Sequence, residues 1–199
     1  MAEQLAVSPL AHLKEALSAA TVTGPRGVSL TELPFLTMVN VRVNPASEAA
    51  ARMEKTLGVS LPRESGRTAT SGPHTATWSG PDEWLVISSS EPAPLTADLK
   101  ESLGTDPGSI VDLSANRTTL QLTGPSARAV LEKGCPLDLH PREFGPGRAV
   151  LTTVGPIPVL LWQVDDAPTY RLLPRASFAD YLGRWLIDAM EEFGGPEVP

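Results

Sequence analysis

The sequence predicts an α+β protein built from two ferredoxin-like lobes, on three observations. Strand-period and helix-period segments between residues 37 and 113 follow the order β-α-β-β-α-β, the split pattern of that motif. A second β-α start, strand 117–122 and helix 125–133, opens a similar run. Residues 108–140 join the two, holding the last strand of one lobe, a polar corner at Ser114-Ala115-Asn116-Arg117, and the first strand and helix of the next.

Each element has a local reason. Residues 1–27 form a helical arm in which Ser8-Pro9 caps a short helix through Leu10, Leu13 and Leu17, stopped by Gly24-Pro25-Arg26-Gly27. Val39, Val41 and Val43 alternate with Asn40 and Arg42, the period of a half-buried strand. Asn44-Pro45 opens a helix with Ala50, Met53 and Leu57 on one face. Residues 59–72 are polar and breaker-rich and read as a loop. Strands 74–79 and 83–88 form a hairpin around Gly80-Pro81-Asp82, and Thr96 caps a helix carrying Leu99 and Leu103.

In the second lobe, Leu120 and Leu122 face one way and Thr119 and Gln121 the other. Gly124-Pro125 starts a helix with Ala127, Val130 and Leu131 inward, and Gly134 ends it. Strands 148–153, 157–164 and 169–173 follow. A last helix places Phe178, Tyr181, Leu182, Trp185, Leu186, Ala189 and Met190 on one stripe, with Ser177 and Asp180 as a capping box. The expected layout is an arm at 1–27, one domain at 28–193 with lobes of about 28–114 and 115–193, and a flexible tail at 194–199.

Composition excludes several functions. A net charge of −7 with no basic tract argues against nucleic-acid binding, which needs clustered Lys and Arg for phosphates. No apolar run approaches a membrane span, and the N-terminus lacks the layout of a signal peptide. The one cysteine permits no internal disulfide, so a cytoplasmic setting is expected.

No dinucleotide fingerprint, P-loop, HExxH, GxSxG or CxxC occurs, and His12, His74 and His140 have no partners at metal-ligand spacing. Cys135 and His140 share a loop, as a nucleophile–base pair would require. A lone cysteine just past a helix end is more often a small apolar filler. Asp82 and Glu83 are adjacent on a strand and point to opposite faces, so they do not serve one site. Arg117 sits at a corner suited to pairing with a carboxylate, within the chain or across a subunit boundary, with the balance toward the latter. No catalytic, cofactor-binding or metal residue is assigned. The interface candidates are Trp84, Asn116, Arg117, Cys135, Asp138, His140 and Arg171.

Four segments carry a family resemblance: W-S-G-P-D-E-W-L-V from Trp78, V-D-L-S-A-N-R-T from Val111, K-G-C-P-L-D-L-H-P from Lys133, and T-Y-R-L-L from Thr169 with S-F-A-D-Y-L from Ser177. In that order, across residues 28–193, they resemble the gamma subunits of heterotetrameric sarcosine oxidases. The block D-L-S-A-N-R-T-T-L-Q-L-T-G-P-S-A also resembles the aminomethyltransferase-like, folate-binding fold. The resemblance implies a non-catalytic subunit that joins alpha, beta and delta partners, alpha foremost. Such complexes oxidise sarcosine to glycine, release hydrogen peroxide and pass the one-carbon unit to tetrahydrofolate. FAD, covalent FMN, NAD, zinc and the folate site belong to the partners and none to this chain. Subunits of N-methyl amino acid dehydrogenases are similar, and a stand-alone folate-binding one-carbon transfer protein is the other alternative. Folate-dependent iron–sulfur maintenance proteins share Lys133-Gly134-Cys135, but Pro136-Leu137-Asp138 does not continue their motif.

Overall fold

A computed structural model describes residues 6–195. Two five-stranded antiparallel sheets lie face to face, with helices on their outer sides. The first sheet contains β2 (Thr37–Val43), β3 (Thr68–Ser71), β4 (His74–Gly80), β5 (Glu83–Ser88) and β6 (Gly108–Asp112), in the order β3-β4-β5-β2-β6. Helices α2 (Glu48–Leu57) and α3 (Pro92–Leu103) cover its outer face. The second sheet contains β1 (Ser29–Leu33), β7 (Thr119–Thr123), β8 (Arg148–Val154), β9 (Ile157–Asp165) and β10 (Thr169–Pro174), in the order β8-β9-β10-β7-β1. Its outer face carries α1 (Lys14–Ala19), α4 (Ala127–Glu132) and α5 (Ala179–Gly194).

The two orders correspond strand for strand. In each sheet an added edge strand precedes a ferredoxin-like set of four, and the helices fall at equivalent places. The difference is the closing strand. In the first lobe it is β6, the next strand along the chain after α3. In the second it is β1, which precedes the entire first lobe and pairs with β7 from Ser29↔Thr123 to Leu33↔Thr119. This corrects the expected boundary: residues 28–33 belong to the second lobe, and the arm packs there too, with Leu10, Leu13 and Leu17 buried in its core. The second lobe is therefore a circular permutation of the first. The guanidinium of Arg26, just before β1, donates to the carbonyl oxygens of Glu192 and Gly195 (3.1 and 3.4 Å), so the end of α5 lies beside the start of its closing strand.

Burial on both faces explains the dense apolar runs. In β5, Trp84 and Val86 point to the helices while Leu85 and Ile87 point to the other sheet. In β9, Val159 and Leu161 face the helices while Leu160 and Trp162 face the first sheet. Such strands read as continuous hydrophobic stretches. Each fully buried side chain of this size contributes about 1.5–3 kcal/mol.

Local signals held less well at helix starts. Ser47, not Asn44, caps α2, accepting from Ala50 N–H through Oγ (3.2 Å). Pro92 in the first turn starts α3, which leaves Thr96 inside the helix with its Oγ1 buried and without a partner among the described residues. Residues 59–72 include strand β3, which pairs with β4. The Ser177–Asp180 capping box does not form: α5 has no side-chain cap, and Asp180 instead accepts from Arg184 Nε and meets His12 Nε2 (2.6 Å). The buried stripe of α5 is Ala179, Leu182, Gly183, Leu186, Ala189, Met190 and Phe193, so Phe178 and Tyr181 are exposed. Gly194 is the last residue of α5, and residues 196–199 of the expected tail lie outside the described residues. Gly134 does more than end α4: a Cβ there would sit 2.6 Å from the Trp185 ring.

Candidate functional site

The sequence-predicted residues fall into four places. Trp84 is fully buried in the first lobe's core, where its Nε1–H donates to Pro62 O (2.7 Å). Cys135 is buried in the second lobe's core with Leu139 and Phe144 of the same loop, so the loop is packed down as a plug. Both are corrected here: they are core residues, not surface contacts. Asp138 and His140 are exposed and shape the loop between them. Asp138 Oδ1 accepts from His140 N–H (2.9 Å), and His140 Nδ1 accepts from Arg142 N–H (3.2 Å).

Asn116 and Arg117 form a tie between the lobes. Upstream in the corner, Leu113 N–H donates to Met38 O (2.7 Å), and Met38 N–H donates to Ser114 Oγ (3.0 Å). Downstream, Asn116 O accepts from Ala176 N–H (2.8 Å), and Arg117 Nη1 donates to Leu173 O (2.7 Å). The corner thus fastens β2 of one sheet to the β10–α5 joint of the other. Arg117 meets a backbone carbonyl and no carboxylate among the described residues, so of the two placements open for its carboxylate partner the one within the chain is not seen there. Burial, then the like charge of Arg175, lowers its pKa from the ordinary arginine value.

Arg171 stands in a different setting. It lies on β10 between Gln121 and Trp162, which are its cross-strand neighbours. Its Nε donates to Gln121 Oε1 (3.2 Å), and its guanidinium stacks 4.9 Å from the centre of the Trp162 ring. Burial lowers its pKa from the ordinary arginine value, with nearby Asp165 opposing. The side chain lines an interlobe cavity of about 570 Å³ with apolar walls that include Leu36, Ile87 and Val164. Among the described residues no acidic side chain lines that cavity.

Sequence reasoning missed the segment beside it. Leu33-Pro34-Phe35-Leu36 crosses from β1 in one sheet to β2 in the other. Phe35 has φ of 59°, the one non-glycine with positive φ among the described residues, and its side chain is 63% exposed. For an aromatic residue that backbone costs roughly 1–2 kcal/mol. An apolar run containing proline between two strands is the signal available in the sequence. Pro34 also lines a second groove of about 770 Å³, bordered by Phe35, Val7 and α1.

Among the described residues no group of three His, Cys, Asp or Glu is placed to hold a metal ion, and no helix is long and apolar enough to cross a membrane. Comparison with known proteins assigns the family. The sarcosine oxidase, gamma subunit family matches residues 42–192. The sarcosine oxidase subunit gamma of Corynebacterium sp. strain U-96 is 48% identical over 98% of this chain and 95% of its own length. The chain belongs to the sarcosine oxidase gamma subunit family. The subunit gamma of Corynebacterium sp. strain P-1 is 47% identical over 96% of this chain and 93% of its own. Among solved structures, the heterotetrameric sarcosine oxidase from Corynebacterium sp. U-96 contains a chain 47% identical to this one. That chain matches with a TM-score of 0.93, over 98% of this chain and all of that one. Aminomethyltransferase T from Bartonella henselae, at 16% identity and a TM-score of 0.66 over 92% of this chain and 57% of that one, shares the fold alone. The expected aminomethyltransferase-like α+β architecture is therefore the observed one.

Proposed function

We propose that this chain is the gamma subunit of a heterotetrameric sarcosine oxidase and acts in assembly, with no catalytic residue of its own. The observation that carries the reading is the near-complete superposition on a chain of a solved heterotetrameric sarcosine oxidase at 47% identity. In this reading the complex oxidises sarcosine to glycine, yields hydrogen peroxide and hands the one-carbon unit to tetrahydrofolate. FAD, FMN, NAD, zinc and the folate site reside on alpha, beta and delta, and the alpha subunit is the main contact. Of the residues named for that contact, Asn116, Arg117, Asp138, His140 and Arg171 remain available to it; Trp84 and Cys135 do not.

The chain's own chemistry supports this role. The clearest polar network, at the Asn116-Arg117 corner, is spent on backbone groups that lock the lobes together. The test is to purify the chain alone and with the other three subunits. Alone, it should show no flavin absorbance, no sarcosine turnover and no calorimetric response to tetrahydrofolate. With them, it should enter one stable complex. Turnover by the isolated chain, or micromolar folate binding to it, contradicts the reading.

A further inference from the structure

Resting on that assembly role, we propose that the Leu33–Leu36 crossover and the interlobe cavity beside it form the docking face for an acidic, apolar-flanked segment of another subunit, whose carboxylate seats on Arg171. Three independent observations converge there. The first is Arg171 itself: among the described residues, neither Nη has a hydrogen-bond partner, and only Nε is engaged, by a neutral amide. A guanidinium fork with both outer nitrogens open matches a carboxylate in bidentate geometry. The second is the cavity: among the described residues its lining includes Leu36, Ile87 and Val164 and no acidic side chain, and Asp165 acts on the guanidinium from outside that lining, so charge complementarity within the cavity selects an anionic occupant with apolar flanks. The third is Phe35, a large aromatic held outward by a strained left-handed backbone. Strain and exposed apolar area both disfavour the isolated chain; covering the aromatic by a partner recovers the apolar area and so offsets the strain that holds it outward.

The face combines residue types found in interface hot spots: a half-buried arginine in the cavity and, across the Pro34 ridge, an exposed aromatic on the adjoining groove. Arg171 is also held rigid before any partner arrives. Stacking on Trp162 and the bond to Gln121 fix the guanidinium plane, so little side-chain freedom is lost on docking. Pro34 borders both the cavity and the groove along α1, which makes the crossover the ridge between two concave surfaces.

The experiment uses the full chain and measures its affinity for the complex of the other three subunits. Arg171→Gln should weaken assembly by roughly tenfold or more and flatten its salt dependence. Phe35→Gly should weaken it similarly while leaving the isolated chain at least as heat-stable, because glycine adopts that φ freely. Lys100→Gln, which removes a charge from the outer helix α3, is the control and should change nothing. Hydrogen exchange on the wild-type chain should show residues 33–36 protected on assembly. If the wild-type chain fails to join the other subunits, the assembly reading itself falls. Assembly by wild type together with unchanged affinity for both variants and no protection at 33–36 overturns this inference alone. So does an Arg171-dependent rise in melting temperature with benzoate when Arg171→Gln assembles normally, which would make the cavity a small-molecule site.

Discussion

The two lobes share one strand order, and they differ in where the last strand comes from. The first lobe runs from β2 to β6 without interruption. The second waits for β1, laid down before the first lobe, and for the arm that buries Leu10, Leu13 and Leu17 against α5 and its neighbours. The same architecture is thus reached by a local route and a non-local one. The non-local route has a structural consequence: β1 and β2 are joined by the short crossover at residues 34–36, which pulls the two sheets into one body. The first lobe can lose a contact and remain a lobe. The second cannot close without the N-terminal segment.

The largest predicted effect breaks that dependence. A chain beginning at Pro34 lacks the closing strand and the arm, so amides of β7 and β10 should exchange much faster than those of β2 and β5. Uniform exchange would contradict the permuted closure. Fusing residues 27–33 after Gly195 should restore protection in β7, because Arg26 already contacts the end of α5. The permutant should still melt below the full chain, since each arm leucine left out forfeits about 1.5–3 kcal/mol of burial.

Trp84→Ala tests the first lobe by itself. It opens a cavity and strands the Pro62 carbonyl, and should cost about 3–5 kcal/mol by chemical denaturation. A smaller change sits at the seam between arm and sheet. Glu32 accepts from Ser8 Oγ (2.6 Å), Leu10 N–H (3.3 Å) and Thr118 Oγ1 (2.7 Å), so one side chain fixes the arm, β1 and the segment entering β7. Glu32→Gln should cost roughly 1–3 kcal/mol and loosen the arm first, visible as faster proteolysis before residue 27.

The smallest effect separates the lobes by pH. Burial holds the His74 imidazole below its ordinary 6.5, and its Nδ1 has no partner among the described residues. The folded chain therefore resists a proton that the unfolded chain accepts. Stability from this source is intact above 6.5 and is lost as pH falls from there toward the folded value. His74→Gln should flatten the melting-temperature slope on the acid side of 6.5. An unchanged slope would place the acid sensitivity elsewhere.

The sequence was legible where period and burial agree. The alternation of Val39, Val41 and Val43 named β2, and the doubly buried runs at Trp84–Ser88 and Ile157–Val164 named interior strands of the two sheets. It misled at caps, where Asn44 and Ser47 compete within one turn and a proline at residue 92 outweighs Thr96. Strand β1 was not legible, because Ser-Leu-Thr-Glu-Leu is short and its partner lies beyond a whole lobe. Strand β3 was hidden for another reason: Thr-Ala-Thr-Ser is a polar edge with nothing to alternate. Among site residues, Arg171 was readable as a cation on a strand. Its cavity was not, because the walls come from both sheets. Trp84 and Cys135 were chosen by residue type, and packing decided otherwise.

On the proposed function, the chain builds a complex instead of performing chemistry. Native mass spectrometry of the four co-expressed subunits, with this chain present or omitted, tests it most directly. A species containing one copy of each subunit should appear only when the chain is present, and sarcosine-dependent peroxide production should follow that species and never the free chain. A fully active assembly of the other three subunits that forms equally well without this chain would contradict it.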